Sequence, residues 1–209
     1  MNANQVLVKN INDEISKIPH GRVPRELRIK HILILAEELF GEKGYLGASM
    51  DELAKRAGIS KPVIYELVGS KDQLFKACLE KSGNDLAQQI SKAVANETDP
   101  IRKLRYGGLA FFKFVEEHRQ AWSVLIYGNP SSFAKDVDEI RQKQANLVAN
   151  LIAQVIDALP TPKDTIFVEA AAHAINGAFE ALALWWFDHT DISAETLADW
   201  FVSIWLPFI

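Results

Sequence analysis

Apolar residues return every three or four positions through most of this chain, which is the spacing of helices with one buried face. After residue 70, four long stretches show it, over about 71–94, 100–118, 132–158 and 164–188, and a last one follows Ser193. No stretch alternates apolar and polar residues over the length of a strand, and the sequence contains no internal repeat or low-complexity tract. The pattern predicts an all-α protein.

Serine and glycine mark the ends of a shorter helix near residue 50. Ser49 and Glu52 form an S-x-x-E capping box, in which the hydroxyl and the carboxylate are each expected to accept a hydrogen bond from a free backbone amide. Gly58 comes directly after Ala57, and glycine readily takes the left-handed conformation that ends a helix. These signals predict a helix over about 50–57.

Two further capping signals follow this glycine. Ser60 is expected to cap a second helix, and Pro62 suits its first turn because an amide there has no partner within the helix. Ser70 and Gln73 form another capping box, which opens a longer helix. A helix, a glycine turn and a capped helix over about 49–68 predict a helix-turn-helix.

The landmarks of this region match a known family in residue type and spacing. They are Ile32, Leu33, Ala36, Leu39, Phe40, Gly44, Tyr45, Ser49, Leu53, Ala54, Ala57, Gly58, Ile59, Ser60, Tyr65, Ser70, Lys71 and Leu74. Over about residues 25–85 the pattern resembles the N-terminal domain of TetR-family transcriptional regulators. Two positions depart from it, since Leu67-Val68 replaces an aromatic pair found in many relatives and Glu66 places a carboxylate beside the expected phosphates.

The resemblance implies a division of the chain into domains. A three-helix helix-turn-helix DNA-binding domain is expected over 25–85, and a larger helical effector-binding and dimerisation domain over 86–209. Residues 1–24 exceed what this arrangement needs. They form either an extra amphipathic helix or a frayed tail, and the first is favoured by apolar residues at helical spacing. These are Val8, Ile11, Ile15 and Ile18.

Two lysines stand at helix starts, where the helix dipole is positive and a cation is unfavourable. A phosphate docked at each start would explain both Lys61 and Lys71. The resemblance makes Tyr65 and Lys71 phosphate contacts, whereas Lys61, Pro62 and Val63 approach bases. Pro62 and Val63 suit thymine methyl groups, and Lys61 suits guanine. The expected DNA-contacting residues are Arg25, Arg28, Ser49, Lys61, Pro62, Val63, Tyr65 and Lys71.

Arginines cluster just before the first helix of the predicted DNA-binding domain. Arg25 and Arg28 are expected either to reach DNA as a basic arm or to form an ordinary solvated start to that helix. The sequence favours neither interpretation over the other.

Aromatic residues concentrate between the predicted DNA-binding domain and the last two helices. The resemblance implies a ligand cavity in this part of the chain, and such a composition suits an apolar or aromatic molecule oriented by a few polar groups. Each polar candidate is also explained as a satisfied or interfacial group. The expected effector contacts are Phe111, Phe114, Trp122, Phe133, His173 and Asn176.

The last two predicted helices have the character of an interface. The first is rich in alanine, which permits close helix approach, and the second is apolar at steps of three and four residues. The resemblance implies a homodimer built on a four-helix bundle, and the alternative is that these residues only complete the core of one subunit. The expected interface residues are Ala174, Ala178, Leu182, Leu197, Trp200, Phe201, Ile204 and Trp205.

Composition excludes several classes of protein. The longest apolar run, Ala181 to Phe187, is far shorter than the ~20 residues that span a bilayer, and the N-terminus has no secretion signal, so a cytoplasmic protein without a membrane partner is expected. The single cysteine and scattered histidines predict no metal site, and the absence of catalytic motifs predicts neither an enzyme nor a cofactor. Net charge is +2 over 1–81 and −6 over 82–209, so DNA affinity must depend on where charges lie.

These features predict a homodimer that binds double-stranded DNA at an inverted repeat. By resemblance it is a repressor that a small apolar or aromatic effector releases from its operator. The alternative is a helical dimer that binds a small molecule or a partner protein and has little affinity for DNA. Glu66 and Asp51 keep this alternative open, because both carboxylates lie in the helix-turn-helix segment.

Overall fold

The computed structural model describes residues 3–18, 23–122, 131–157 and 164–205, and the regular structure in these ranges is entirely helical. The prediction of an all-α fold is confirmed. The elements are α1 (Ala3–Ser16), α2 (Arg25–Gly47), α3 (Met50–Ala57), α4 (Lys61–Val68), α5 (Lys71–Val94), α6 (Pro100–Glu117), α7 (Arg119–Trp122), a 3-10 turn (Ser131–Phe133), α8 (Ala134–Asp157), α9 (Thr165–Trp186) and α10 (Ala194–Trp205).

The helices pack into two compact units. The N-terminal unit comprises residues 1–81 together with 117–137, and the C-terminal unit comprises 82–116 together with 138–209. Residues 117–122 and 131–137 therefore belong to the same unit as the helix-turn-helix. None of the described helices combines the length and the apolar character that crossing a membrane requires.

The N-terminal unit is built around α2. Helix α1 lies on α2 and buries Ile11, so the apolar spacing in the first residues does produce a docked helix. The turn at Gly44, with φ at 68°, ends the straight part of α2 and starts the approach to α3. The side chains of α2 that fill this core are Ile32, Ile34, Leu35, Leu39 and Phe40.

The capping signals are only partly realised. Ser49 Oγ accepts a hydrogen bond from the Glu52 amide at 3.2 Å, but the Glu52 carboxylate does not cap the helix in return. It binds Lys43 Nζ at 2.5 Å and Arg56 at 2.8 Å, because charged donors bind a carboxylate more strongly than a neutral amide does. Half of the predicted box is therefore wrong.

The two later caps also differ from each other. Ser60 occupies the N-cap position of α4, yet its side chain makes no capping hydrogen bond with the described residues, which corrects the prediction. Ser70 and Gln73 form the full reciprocal box. The Ser70 amide donates to Gln73 Oε1 at 2.8 Å, and the Gln73 amide donates to Ser70 Oγ at 3.2 Å. The start of α5 is therefore well defined.

An aromatic cluster fills the base of the N-terminal unit. Phe75 of α5 meets Phe40 and Tyr45 edge to face, with ring centroids 5.0 Å apart in both pairs. Phe133, from the 3-10 turn, lies 4.8 Å from Phe75 and 5.2 Å from Tyr45. Such pairs add about 0.5–1.5 kcal/mol each to the energy of burial, so this cluster holds α2, α5 and the 131–133 turn together.

The core of the C-terminal unit forms around Phe179 of α9. Its ring stacks on Phe201 of α10 with centroids 3.9 Å apart, and Phe111 and Phe112 of α6 lie 5.2 and 5.4 Å away. Gly108 makes room for this ring, since a Cβ atom at that position would lie 2.9 Å from Cζ of Phe179. The lack of a side chain at one position therefore permits the close approach of α6 and α9.

Candidate DNA-binding surface

Helix α4 presents a mixed face to the outside of the N-terminal unit. Ile64 is fully buried and anchors the helix, whereas Pro62, Val63, Tyr65 and Glu66 are exposed. Tyr65 is 44% exposed and Val63 is 36% exposed, although the tyrosine ring is largely apolar and the valine side chain is wholly apolar. A short, well-anchored helix with apolar groups pointing outward has the form needed to meet base edges in a major groove.

Lys61, at the start of α4, is paired within the protein. Its Nζ lies 2.8 Å from Asp51 Oδ2 of α3, and both side chains are exposed. The hydrogen bond that Lys61 donates to Asp51 raises the pKa of Lys61, so the ammonium group stays charged. Lys61 therefore faces outward with a counter-ion that DNA must displace or share.

Lys71, at the start of α5, is held differently. Its Nζ lies over the ring of Tyr45, 4.5 Å from the centroid, and within the part of the chain that the structure describes it pairs with no carboxylate. Its charge therefore remains available to an anion outside the protein.

The remaining residues expected to contact DNA lie at helix starts. Ser49 is exposed and caps α3, so its hydroxyl already accepts one bond. Arg25 is the exposed first residue of α2, while Arg28 is half-buried one turn further on.

A network of charges fixes α3 against α2. Arg56 binds Glu42 at 2.6 Å and Glu52 at 2.8 Å, and Lys43 also binds Glu52. These bonds lower the pKa values of Glu42 and Glu52 below their usual range. The network orients the first helix of the helix-turn-helix, which in turn places Asp51 beside Lys61.

The residues expected to bind an effector are divided between the two units. Trp122 and Phe133 are buried in the N-terminal unit, and Phe111 and Phe114 are buried in the C-terminal unit. Neither unit contains the whole predicted set. Phe133 packs on Tyr45 and Phe75, so its surroundings are those of a structural core residue.

The two polar members of that set lie on α9. Asn176 is half-buried and donates to the Arg141 carbonyl at 3.5 Å, whereas His173 is exposed. The half-buried Glu180, one turn beyond Asn176, binds Arg141 Nε at 3.2 Å. These polar groups link α9 to α8.

The residues expected at a dimer interface separate into two groups. Trp200 is 47% exposed and Ile204 55% exposed, and Ala174 also faces outward, with Ala178 and Leu182 half-buried. In contrast, Leu197 and Phe201 are buried in the core of their own unit. The prediction that these two residues lie at a surface for dimerisation is therefore wrong. The side chain of Trp205 lies outside the described residues.

Two models of known families match the chain over most of its length. The model described as bacterial regulatory proteins, tetR family, matches residues 32–78, and the model described as tetracyclin repressor-like, C-terminal domain, matches residues 101–206. The chain belongs to the TetR family. The resemblance inferred from the helix-turn-helix segment is thereby confirmed.

Relatives and solved structures agree with this assignment. The TetR-family chain is 39% identical over 106 residues to the HTH-type transcriptional activator FasR of Mycolicibacterium smegmatis, covering 51% of this chain and 48% of FasR. It is 29% identical over 111 residues to the HTH-type transcriptional regulator HbdR of Aromatoleum sp., covering 53% of this chain and 48% of HbdR. The chain thus matches about half the length of these curated relatives.

Among solved structures, a TetR-like transcriptional regulator from Rhodococcus sp. RHA1 superimposes with a TM-score of 0.70 at 31% identity. That alignment covers 87% of this chain and 95% of the other. The fatty acid degradation regulator FadR from Bacillus halodurans has a TM-score of 0.74 at 17% identity, covering 88% and 95% of the two chains, and so supports the fold alone.

Sequence reasoning overlooked several exposed apolar residues of this TetR-family protein. Helix α9 carries one polar stripe, formed by Glu169, His173, Asn176 and Glu180, and is apolar around the rest of its circumference, so its sequence does not show which of the apolar residues are exposed. The exposed ones include Ile166, Phe167, Leu184 and Trp185. The contacts of Tyr45 with Asp72 and of Asp51 with Lys61 were also missed, because each joins two different helices.

We expect burial of His31 to make the stability of the N-terminal unit depend on pH. Its side chain is buried, its Nδ1 has no hydrogen-bond partner among the described residues, and burial, with Arg28 nearby, lowers its pKa below 6.5. Between the folded pKa of His31 and pH 6.5, the imidazole therefore binds a proton in the unfolded chain but not in the folded chain. We expect stability to fall as the pH drops from 6.5 to the folded pKa, and to be unaffected by His31 above that window.

Urea unfolding of the wild type and of His31→Leu, between about pH 5 and pH 8, measures this dependence. The variant is expected to lose the part of the pH dependence that His31 contributes. An equal fall in both proteins would assign the effect to other groups.

Proposed function

We propose that this TetR-family regulator binds a specific inverted-repeat operator as a homodimer and responds to a small apolar or aromatic effector. It acts in the cytoplasm and catalyses no reaction. The observation that carries the proposal is the outward face of α4, where Tyr65 and Val63 are exposed while Ile64 anchors the helix. Side chains exposed in this way on a short, anchored helix can reach base edges and phosphates in a major groove.

The contacts to the DNA backbone and to bases come from α4 and from the start of α5. Lys71 and Tyr65 contact phosphates, supported by the absence of a carboxylate partner for Lys71 among the described residues. Lys61, Pro62 and Val63 approach bases, with Lys61 exchanging Asp51 for a guanine. Ser49, Arg25 and Arg28 add backbone contacts at the edges.

Dimerisation uses the exposed face of α9 and α10. Trp200 and Ile204 supply large exposed apolar area, and exposed Ala174 lets a partner helix come close. A two-fold dimer meets the need of an operator whose half-sites lie ~34–36 Å apart. A closed two-fold dimer is also the commonest form of oligomer.

The effector is proposed to act through the aromatic-rich helices that follow the helix-turn-helix. An effector that prefers a conformation in which the two α4 helices no longer match the half-site spacing will weaken DNA binding. This makes the protein a repressor that is released by its effector. The relative FasR is named an activator, so a reporter gene behind the operator, with and without the regulator, decides the sign.

One observation supports a different function. Lys61 is paired with Asp51, and Glu66 is exposed on α4, so the surface carries anions where phosphates would lie. The second candidate is therefore a helical dimer that binds a small molecule or a partner protein and has little affinity for DNA.

Selection of duplexes from a random DNA pool at moderate salt tests the proposal. The full chain and Tyr65→Ala are compared, because Tyr65 is exposed and its loss leaves the core intact. Enrichment of an inverted repeat by the wild type, lost with the variant, is the expected result. Failure of the wild type to enrich any sequence, in protein shown by mass spectrometry to carry no bound small molecule, would favour the second candidate.

We expect Asp51→Asn to strengthen binding to all duplexes. The exposed pair with Lys61 contributes little to stability, whereas the Asp51 carboxylate reduces the positive charge beside the DNA. Removing it should raise affinity by about two- to fivefold per half-site and steepen the salt dependence. Fluorescence anisotropy at several salt concentrations measures both quantities.

Glu195→Gln is the matched control for this prediction, since Glu195 is an exposed carboxylate paired with Lys113 at 3.0 Å in the C-terminal unit. It removes the same charge far from α4 in the chain and should leave affinity unchanged. Equal effects of the two variants would mean that only the net charge of the protein matters. Weaker binding by Asp51→Asn would mean that Asp51 orients Lys61 for its contact with DNA.

A further inference from the structure

Tyr45 lies at the point where two residues of the α5 start meet the core. Its hydroxyl donates a hydrogen bond to the carboxylate of Asp72, and Lys71 Nζ lies over its ring, 4.5 Å from the centroid. One side chain from the end of α2 therefore contacts both charged residues of the first turn of α5.

Three neighbouring aromatic rings fix the position of the Tyr45 ring. Phe75 and Phe133 lie 5.0 and 5.2 Å from it, and Phe40 stacks at 6.2 Å. Gly44, just before Tyr45, has a φ of 68°, which a residue with a side chain adopts only at a cost. The backbone turn and the packed rings together leave Tyr45 little freedom.

Tyr45 contacts a negative and a positive group with different parts of its side chain: the hydroxyl binds Asp72, and the face of the ring lies under Lys71. Its hydroxyl is a hydrogen-bond donor at every physiological pH, because burial and the bond to Asp72 raise the pKa of Tyr45 to about 12. The Asp72 carboxylate is thereby held at the edge of the ring, while the ammonium group of Lys71 lies over its face, where the π-electrons attract a cation. Lys61, in contrast, has its own carboxylate partner.

We propose that Tyr45 is a positioning residue for DNA binding: its ring aims Lys71 at a phosphate, and its hydroxyl holds Asp72 away from that phosphate. This inference rests on the proposed function, because it assumes that Lys71 contacts the DNA backbone. A carboxylate next to a phosphate contact is repulsive, so the α5 start can bind DNA only if Asp72 is restrained.

The consequence is a specific dependence of affinity on a hydroxyl that does not touch DNA. Without it, Asp72 is free either to pair with Lys71 or to turn towards the phosphate, and both changes weaken binding. Tyr45→Phe tests this, since it keeps the ring and removes only the hydrogen bond to Asp72. Tyr106→Phe is the matched control, because Tyr106 is a partly exposed tyrosine on α6 in the C-terminal unit.

The measurement is the affinity of the full chain for duplex DNA as a function of salt, using both the duplex enriched by selection and an unrelated duplex. Lys71→Ala should weaken binding by about fivefold per half-site at physiological salt, or roughly 25-fold for a dimer, and reduce the salt slope by about 2. Tyr45→Phe should lower affinity by at least about threefold for a dimer on both duplexes. Tyr106→Phe should change nothing.

Two double variants separate positioning from a general structural effect. Adding Asp72→Asn to Tyr45→Phe should restore affinity, because the carboxylate that was released is now neutral. Adding Tyr45→Phe to Lys71→Ala should produce a smaller further loss than Tyr45→Phe produces in the wild type, because the released Asp72 no longer has a Lys71 ammonium group to pair with. A merely structural role would give neither the rescue nor the loss of additivity.

The outcomes also distinguish this inference from the proposed function. If the wild type binds and Lys71→Ala weakens binding, but Tyr45→Phe leaves affinity unchanged or its effect adds to that of Lys71→Ala, the positioning role is wrong while the function stands. If the wild type does not bind DNA, the proposed function fails.

In that case the arrangement itself is still tested by NMR of the full chain with labelled lysine. The side-chain methylene protons next to Lys71 Nζ should show an upfield ring-current shift that survives in Tyr45→Phe and disappears in Tyr45→Leu. No such shift in the wild type would overturn the positioning of Lys71 by the ring.

Discussion

Replacing Trp200 and Ile204 together by glutamate is expected to convert the protein into a monomer and to abolish specific binding to a two-half-site operator. The two side chains are 47% and 55% exposed on α10, so the charges cost little in an isolated subunit. In an interface they would be buried without partners, at several kcal/mol each. Because specific binding uses two half-sites, loss of the dimer should reduce operator affinity by more than about a thousandfold. Sedimentation velocity and anisotropy measure the two effects.

Ile101→Glu combined with Tyr106→Glu is the matched control. Both residues are partly exposed on α6, so the double variant introduces two carboxylates on a different helix of the same unit. It should remain dimeric and fully folded by circular dichroism. A Trp200→Glu, Ile204→Glu protein that stays dimeric would show that the interface lies elsewhere.

Phe75→Ala should have the largest effect on stability. Phe75 is fully buried at the centre of the aromatic cluster and contacts Phe40, Tyr45 and Phe133. Truncation of such a residue costs about 3–5 kcal/mol, which is a large part of the 5–15 kcal/mol that stabilises an ordinary domain. Urea unfolding should reveal this loss, and DNA binding should disappear with it.

Leu46→Ala is the comparison for this substitution, since Leu46 is 87% exposed in the same unit. Its free energy of unfolding should change by less than about 0.5 kcal/mol. A small effect of Phe75→Ala would mean that the cluster collapses around the cavity, and Phe133 would then not depend on Phe75 for its position.

Local signals in the sequence located the helices of the N-terminal unit closely. The Ser70–Gln73 box formed as predicted, and Gly58 takes the left-handed conformation with φ at 65°. These features involve residues no more than a few positions apart, so the chain specifies them without reference to the rest of the fold. The failure at Glu52 has a different origin. Glu52 is bound by Lys43, nine residues away on α2, which local reasoning does not see.

Burial on the apolar helices was harder to predict. Helix α9 has one narrow polar stripe and is apolar elsewhere, so its sequence is consistent with several faces being inside, and only packing decided that Phe179 is buried while Trp185 is 42% exposed. On α10 the same helical spacing includes Phe201 in the core and Ile204 at the surface. Hydrophobic spacing defines a stripe, and the neighbouring helices decide how much of it they cover.

The sequence by itself determined the all-α class, the helix-turn-helix, the family and the exposed chemistry of α4, because these depend on spacing and on residues close together in the chain. Tertiary structure alone decided that Phe133 packs on Tyr45, that Asp51 binds Lys61 and that Tyr45 contacts both Lys71 and Asp72. The physical reason is that each of these contacts joins different helices. Their partners are chosen by the packing of the core, which acts over distances in sequence that no local pattern records.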